Sequence, residues 1–549
     1  MQTSSSSGIP GVPTSTAATL LGHPKGLFVL FAVEMWERFS YYGMRALLVL
    51  YLTTPGSGMN PLPLGKPEGF NPGPGWSDGE ASTLYGWYTG LAYLLPIFGG
   101  LVADKLIGTH RSMVVGGSVI ALGHVALAIS GMGGFNGTPV GMSIFIFGLA
   151  LIVFGTGHFK PSVSVMVGQL YPQGDPRRDG AFTIFYMGIN LGAFLCAFVC
   201  GTLGRQVGWH WGFGAAAIGM LLGLGMYTYF RPKYLADVGL PPENGKPSLA
   251  STFVVAAVVL SAVVAGLFHL GVFAHIKSLI ADIATNALLG WSIVAVLVVG
   301  VLAWVMWFIS KNRPEDRGPV ITIFVYIVFN AFFWMAFEQA GSSINLFTDR
   351  YTDRNLGGFE VDTTWFQSVN AGLIFMLAPL FAWLWASMGR KKINPSQPVK
   401  IALGLLFLSL GFVFMVWGAR EAGAGVEQAA GVTVAKASMF FILAAYFWHT
   451  VGELCLSPTG LSYVTKAAPA RFMSLLMGLW FVSSFVANLG GGLIAAQVEA
   501  IEKGNIKLPW NFGGQADFFF LFVAVPAIAG VVILIASPFL KKLQRSSLD

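Results

Sequence analysis

Apolar runs of about twenty residues or more, the length an α-helix needs to cross a bilayer, recur along this chain near residues 25–52, 80–103, 111–132, 140–168, 178–203, 209–230, 248–271, 283–310, 318–347, 362–387, 398–419, 434–466, 470–498 and 515–540. Polar connections rich in Gly, Pro, Lys and Arg separate these fourteen runs. The pattern predicts an all-α polytopic membrane protein with fourteen transmembrane helices.

The first run departs from uniform apolarity in an ordered way. Within "EMWERFSYYGMR", Glu34, Glu37, Arg38, Tyr41 and Arg45 fall at offsets 0, 3, 4, 7 and 11. At 100° per residue these offsets gather on one helical stripe roughly 100° wide. One face of the first helix is therefore ionic and aromatic, and the remainder is compatible with lipid. Ionisable groups at membrane depth are costly, so they mark a functional site or a buried clamp.

The connections set an expected orientation. Counted from the N-terminal segment, alternate connections hold twenty Lys and Arg residues against nine in the opposite set. By the positive-inside rule the richer set is cytoplasmic, which puts both termini inside. Composition agrees with the helical reading: 55% of the 549 residues are hydrophobic, only 10% are charged, and mean hydropathy is +0.68. The net charge of +7 is accounted for by cytoplasmic loops, so no nucleic-acid partner is expected. Residues 1–24 are Ser, Thr, Gly and Pro rich without a basic segment ahead of an apolar core, and read as a disordered tail rather than a secretory signal. Cys196 and Cys200 share a helix face and read as small packing residues, not as a disulfide or a metal site.

Faint internal repetition divides the chain further. "FKPSVS" in the fourth run has a counterpart in "ELCLSPTGLS" in the twelfth, and "INLGAF" in the fifth matches "ANLGGGL" in the thirteenth. The expected organisation is an N-terminal six-helix bundle over 25–230, two inserted helices over 248–310, a second six-helix bundle over 318–540, and a terminal tail over 541–549. Repeat-built transporters place their substrate site between the halves.

Seven ionisable residues lie well inside the runs: Glu34, Glu37, Arg38, Arg45, Lys160, Glu338 and Glu453. At ~2.5–3.5 kcal/mol each on insertion scales, seven lone charges would cost roughly 17–25 kcal/mol. They must pair or line a water-filled cavity. Fully ionised they sum to −1, one proton from neutrality, which is the arithmetic of a proton-coupled device. Tyr93, Asn190, Asn370, Trp480, Phe481 and Ser484 accompany them as polar and aromatic candidates for a cavity wall. Pro161 beside Lys160 and Pro458 after Glu453 permit bending. Lys160 and Glu453 could meet as those helices tilt, or the prolines could hold static kinks.

These residues also carry a resemblance. "EMWERFSYYG" resembles the ExxER[FY]xYYG signature of the proton-dependent oligopeptide transporters, a branch of the major facilitator superfamily. "FTIFYMGINLGAF" is similar to the family's fifth-helix signature, "GGLVADKLIGTHR" to the superfamily's loop between helices two and three, and "FWMAFEQAGSSI" to its seventh-helix pattern. The resemblance implies a major facilitator fold of two six-helix bundles, with the two extra helices typical of bacterial members, in the cell's inner membrane. It implies a symporter importing di- and tripeptides with protons, needing no metal or other cofactor. By motif, Arg45 and Lys160 would hold the peptide carboxylate, and Glu453 with Asn190 and Asn370 would receive the amino terminus. Tyr41, Tyr42, Tyr93, Trp334, Trp480, Phe481 and Ser484 would line the side-chain space. Glu34, Glu37, Arg38 and Glu338 would form the coupling machinery, with Arg45–Glu338 as an outer gate and Lys160–Glu453 as an inner one. The second run has no histidine, unlike the animal members, so coupling should rest on carboxylates. Trp385 stands where the first basic loop has Asp104, and Phe337 where an acid sometimes precedes Glu338.

Other functions are weighed against this one. The chain contains no G-x-S-x-G elbow and no H-E-x-x-H pair, the motifs that would point to a membrane-embedded hydrolase or zinc protease. His449 and Glu453 could share a metal, but no third ligand is evident. A passive channel would not need an ionisable set poised one proton from neutral. The nearest alternative keeps the fold and the coupling but carries nitrate or another small anion. Glu453 argues for a peptide, since an anion has no amino group to satisfy it.

Overall fold

In hydrocarbon every backbone amide must find its partner within the chain, so apolar runs of this length fold as helices. The computed structural model describes residues 19–60, 62–63, 65–172, 174–285, 287–423 and 435–544. Most of each expected terminal tail, residues 1–18 and 545–549, lies outside the described residues. Thirteen helices are long and apolar enough to cross a membrane. To these belongs α1 (Lys25–Thr53), whose 29 residues extend about 43 Å and whose interior carries the ionic stripe. Among the described residues, these thirteen candidate spans and α1 are in line with the fourteen expected.

The chain forms two compact units. The first comprises Met1–Trp76, Leu91–Ala262 and Leu356–Phe375. It holds α1, α2 (Asp78–Val102) from Leu91 onward, α3 (Thr109–Ser130), α4 (Pro139–Gln169), α5 (Arg177–Cys196), the short α6 (Thr202–Gln206), α7 (Trp209–Tyr234) and α8 (Ala250–His269) as far as Ala262. Its core is built from Leu30 and Val33 of α1, Met113 and Ile120 of α3, Phe159 and Met166 of α4, and Tyr227 of α7. Helices α3 and α4 cross closely because Gly116 faces Gly155 and Gly123 faces Gly148. A Cβ on any of the four would fall within 3 Å of the opposing backbone. The start of α4 is fixed by Pro139 in its first turn and by Thr138, whose hydroxyl accepts the Gly141 amide at 3.0 Å, a standard N-cap. Residues 19–24, expected as part of the tail, instead form a small antiparallel pairing of Thr19–Leu20 with His23–Pro24. The His23 ring meets the Tyr171 hydroxyl at 2.8 Å, and burial pushes that phenol up to about 12.

The second unit comprises Ser77–Gly90, Val263–Asn355 and Met376–Asp549. Beyond the first turns of α2 and the end of α8, it contains α9 (Val272–Thr285), α10 (Ala287–Ser310), α11 (Pro314–Phe337), α12 (Ser343–Tyr351) and α13 (Gln367–Arg390) from Met376. It ends with α14 (Gln397–Glu421), α15 (Met439–Ala467), α16 (Met473–Ala495), α17 (Val498–Glu502) and α18 (Gln515–Leu543). Helix α14 packs on α15 and α18, and α11 on α16. Gly86 of α2 and Gly492 of α16 approach so closely that a Cβ on either would collide with the other's Cα.

Three details differ from the sequence expectation. The ninth run, 318–347, is not one helix: α11 ends at Phe337, Glu338–Gly341 forms a 3₁₀ turn, and α12 resumes at Ser343. The connection expected after the seventh run is helical from Val272 onward, in α9 (Val272–Thr285). Arg205 and Arg354, assigned to loops, are both buried, facing Asp362 at 3.9 Å and Asp349 at 4.0 Å respectively. Cys196 and Cys200 are free and buried, as expected of packing residues, and Cys200 lies against Gly43 of α1.

Candidate functional site

The sequence-derived candidates fall into two sets, one in each unit. In the first unit the stripe on α1 is an ion-pair cluster. The Arg38 Nε lies 2.7 Å from Glu34 Oε1 and 2.8 Å from Glu37 Oε2, with all three residues buried. The guanidinium donates a well-formed hydrogen bond only to Glu34. Both Glu37 oxygens are buried without a hydrogen-bond donor among the described residues. An ion pair alone leaves a carboxylate's lone pairs without donors. The guanidinium of Arg38 also lies 5.7 Å from the Tyr41 ring.

Two turns on, Arg45 lies 5.7 Å from the Tyr42 ring centroid, and Tyr41 and Tyr42 meet edge to face with centroids 5.2 Å apart. From α4, Lys160 points its ammonium at the face of Tyr93 on α2, 3.6 Å from the centroid. Pro161 follows it immediately within the helix, so the Lys160 segment lacks one backbone donor, while Ser162 bonds back to the His158 carbonyl at 2.7 Å. The unit also contains Asn190, whose amide donates to the Tyr186 carbonyl at 3.0 Å, and Asn370 near the start of α13. Neighbouring His158 lies 3.1 Å from the Ser112 hydroxyl and packs against Phe253.

The second unit contributes carboxylates and aromatic rings. Glu338 opens the 3₁₀ turn after α11 and is buried. The Tyr85 hydroxyl of α2 lies 3.5 Å from Glu338 Oε2. The next residue, Gln339, secures the turn by donating to the Gly491 carbonyl at 3.0 Å and accepting from the Ser343 hydroxyl at 2.6 Å. Glu453 is buried on α15. Trp334 donates its indole N–H to Asn330 at 3.1 Å, and Asn330 donates to the Ser483 hydroxyl, also at 3.1 Å. That relay ties α11 to α16 beside Trp480, Phe481 and Ser484. Asn488 donates to the Ser484 carbonyl at 2.9 Å while its own amide oxygen is buried without a donor.

Tyr85, Asn330, Ser483 and Asn488 were not among the residues singled out from sequence. The period-3.6 spacing of Asn330 and Trp334, and of Ser484 and Asn488, was the available signal. Among the described residues no three His, Cys, Asp or Glu side chains gather as a metal site. His449 instead packs its ring 4.6 Å from that of Phe412.

Fully ionised, the first unit's set contains three cations and two carboxylates, and the second unit's set two carboxylates. Among the described residues, helices of this length and apolarity define the class, a multi-pass membrane protein. The model of the POT family matches residues 110–510, and the chain belongs to that family. It is 38% identical over 533 residues to the peptide transporter YePEPT of Yersinia enterocolitica subsp. palearctica serotype O:3 (strain YE-P4), covering 96% of each chain. It is 34% identical over 532 residues to a di-/tripeptide transporter of Lactococcus lactis subsp. cremoris, covering 96% of this chain and 98% of the relative. Among solved structures, the peptide transporter POT in complex with sulfate superposes with a TM-score of 0.74 at 34% identity, each chain covered to 98%.

Proposed function

We propose that the protein is a proton-coupled symporter that imports di- and tripeptides by alternating access, with the proton as coupling ion and no cofactor. The observation that carries this reading is the division of charge: a cationic surplus in one unit and two buried acids in the other suit the two ends of a zwitterion. Arg45 and Lys160 receive the peptide carboxylate. Glu453, helped by Asn190 and Asn370, receives the ammonium group. Tyr41, Tyr42, Tyr93, Trp334, Trp480, Phe481 and Ser484 face the peptide side chains.

Coupling rests on Glu34, Glu37, Arg38 and Glu338, with Arg45–Glu338 closing the outer side and Lys160–Glu453 the inner side. The bundles span 25–230 and 318–540, with 248–310 inserted between them. The protein sits in the inner membrane with both termini cytoplasmic. Peptide binding to charges buried this deeply gains charge-assisted hydrogen bonds that water no longer contests. Uptake of labelled dialanine into proteoliposomes tests the reading. Accumulation should require an inward-directed proton gradient and collapse with a protonophore, whereas uptake indifferent to the gradient would refute symport.

A further inference from the structure

The relay that joins α11 to α16 runs in one direction and has a tryptophan at each end. The indole N–H of Trp334 donates to the Asn330 amide oxygen at 3.1 Å, and the Asn330 amide donates to the Ser483 hydroxyl at 3.1 Å. That hydroxyl donates in turn to the Trp480 carbonyl at 2.7 Å. Trp334 and Trp480 are both among the residues assigned above to the peptide side chain. Asn330 and Ser483 are buried between them.

Adhesion between the two helices has another source. Gly490 and Gly491 of α16 lie against Met335 of α11, and a Cβ on Gly491 would fall 2.9 Å from the Met335 carbonyl. Replacing both partners of a buried hydrogen bond by apolar groups of similar shape can be nearly neutral for stability. What a fully satisfied polar network adds is a unique arrangement of the groups it joins. Here that group is the Trp334 ring. Phe333 and Phe337 touch it from its own helix, with centroids 5.5 and 5.1 Å away, and Asn330 fixes its polar edge. An indole has a single donor, and this one is spent on Asn330, so Trp334 offers a ligand its apolar ring and not its N–H.

We infer that Asn330 is a positioning residue for peptide side-chain selection. It fixes the Trp334 ring on α11 and, through Ser483, keeps that ring in register with the turn of α16 that holds Trp480. The assignment rests on the function proposed above and adds to it a residue that acts on the ligand through its neighbours. Freed of Asn330, the indole can turn about its side-chain bonds, and an aromatic peptide side chain loses a flat apolar wall. A small side chain such as alanine's depends on that wall far less.

A double-mutant cycle in proteoliposomes tests this. Wild type, Asn330→Leu, Trp334→Phe and the double variant are compared by competition of dialanine and alanylphenylalanine against uptake of labelled dialanine. Asn330→Leu should lower the affinity for alanylphenylalanine relative to dialanine by about 2- to 12-fold, the contribution of one hydrogen bond, with dialanine turnover nearly unchanged. In the Trp334→Phe background, where no indole N–H remains to be held, the same substitution should leave the ratio nearly unchanged. Ser483→Ala leaves the indole its acceptor and unties Asn330 from α16 only, so it should shift the ratio in the same direction and by less. Where Asn330→Leu does not assemble, Ser483→Ala decides alone. Additive effects of Asn330→Leu and Trp334→Phe overturn the assignment. So does an unchanged ratio accompanied by a lower Tm and slower turnover of both peptides, which is the behaviour of a helix clamp. A wild-type protein that takes up no dipeptide overturns instead the function proposed above, and this assignment with it.

Discussion

The ammonium of Lys160 stands 3.6 Å from the centre of the Tyr93 ring, close enough for the ring face to help hold the cation. This contact fixes the direction in which the charge points. Tyr93→Phe keeps the ring and should retain transport within a few-fold. Tyr93→Ala removes it and should weaken peptide affinity about 5- to 30-fold, matching ~1–2 kcal/mol for a desolvated cation–π contact. Measured KM values for dialanine check this, and equal KM for both variants would show that the ring does not position the lysine.

Lys160 itself should be indispensable for the carboxylate. Lys160→Ala is expected to abolish uptake, and a dipeptide amide should compete poorly against the wild-type protein. The loss corresponds to one charge-assisted hydrogen bond, about 1.5–3 kcal/mol or roughly 10- to 150-fold. Competition assays with the free acid and the amide decide it, since equal inhibition would remove Lys160 and Arg45 from carboxylate recognition.

Glu453 makes the complementary prediction at the other end of the peptide. Acetylating the amino terminus removes the ammonium and leaves a buried carboxylate without its counter-charge, a penalty of several kcal/mol. Blocked peptides should bind much more weakly than free ones to the wild-type protein, and Glu453→Gln should narrow that gap. A gap unchanged in Glu453→Gln would assign the ammonium to another acid.

The ion-pair cluster on α1 predicts a stability effect distinct from transport. Arg38 sits within 2.8 Å of two buried carboxylates, so Arg38→Ala would leave both without their cation. Breaking a buried pair in this way costs about 3–5 kcal/mol, and the detergent-solubilised variant should show a clearly lowered Tm. Glu37→Gln deletes a carboxylate that accepts no hydrogen bond and should leave the Tm near wild type. The reverse order would mean that Arg38 is stabilised by groups other than these acids.

The α1 cluster was legible in sequence because its members recur at helical spacing within one element, where periodicity alone puts them on a common face. The same logic failed where partners are far apart in the chain. Asn330 and Ser483 are 153 residues apart, and no local pattern announces their bond. Arg205 and Arg354 looked like loop charges because they lie near the ends of apolar runs, although each is buried against an aspartate. The helical winding from Val272 was missed for another reason: Lys277 and Asp282 interrupt the apolar pattern there. The break at Glu338 was hidden because apolar residues continue on both sides, and hydropathy does not register a change from α to 3₁₀ winding.

That break sharpens the expectation for proton coupling. Glu338 sits at a change of helical type, where the backbone can alter direction, and the Tyr85 hydroxyl lies 3.5 Å from its carboxylate. If the ionised form holds Arg45 across the outer gate, protonation releases that arginine to the peptide carboxylate, so proton and peptide favour each other's binding. Glu338→Gln mimics the protonated state permanently. It should lose accumulation driven by a pH gradient yet keep peptide-for-peptide exchange, which requires no net proton movement. Parallel measurements of counterflow and gradient-driven uptake separate the two steps. A Glu338→Gln protein that still accumulated peptide against its gradient would move the coupling proton to α1, where Glu37, with both oxygens lacking donors, is the next group to test.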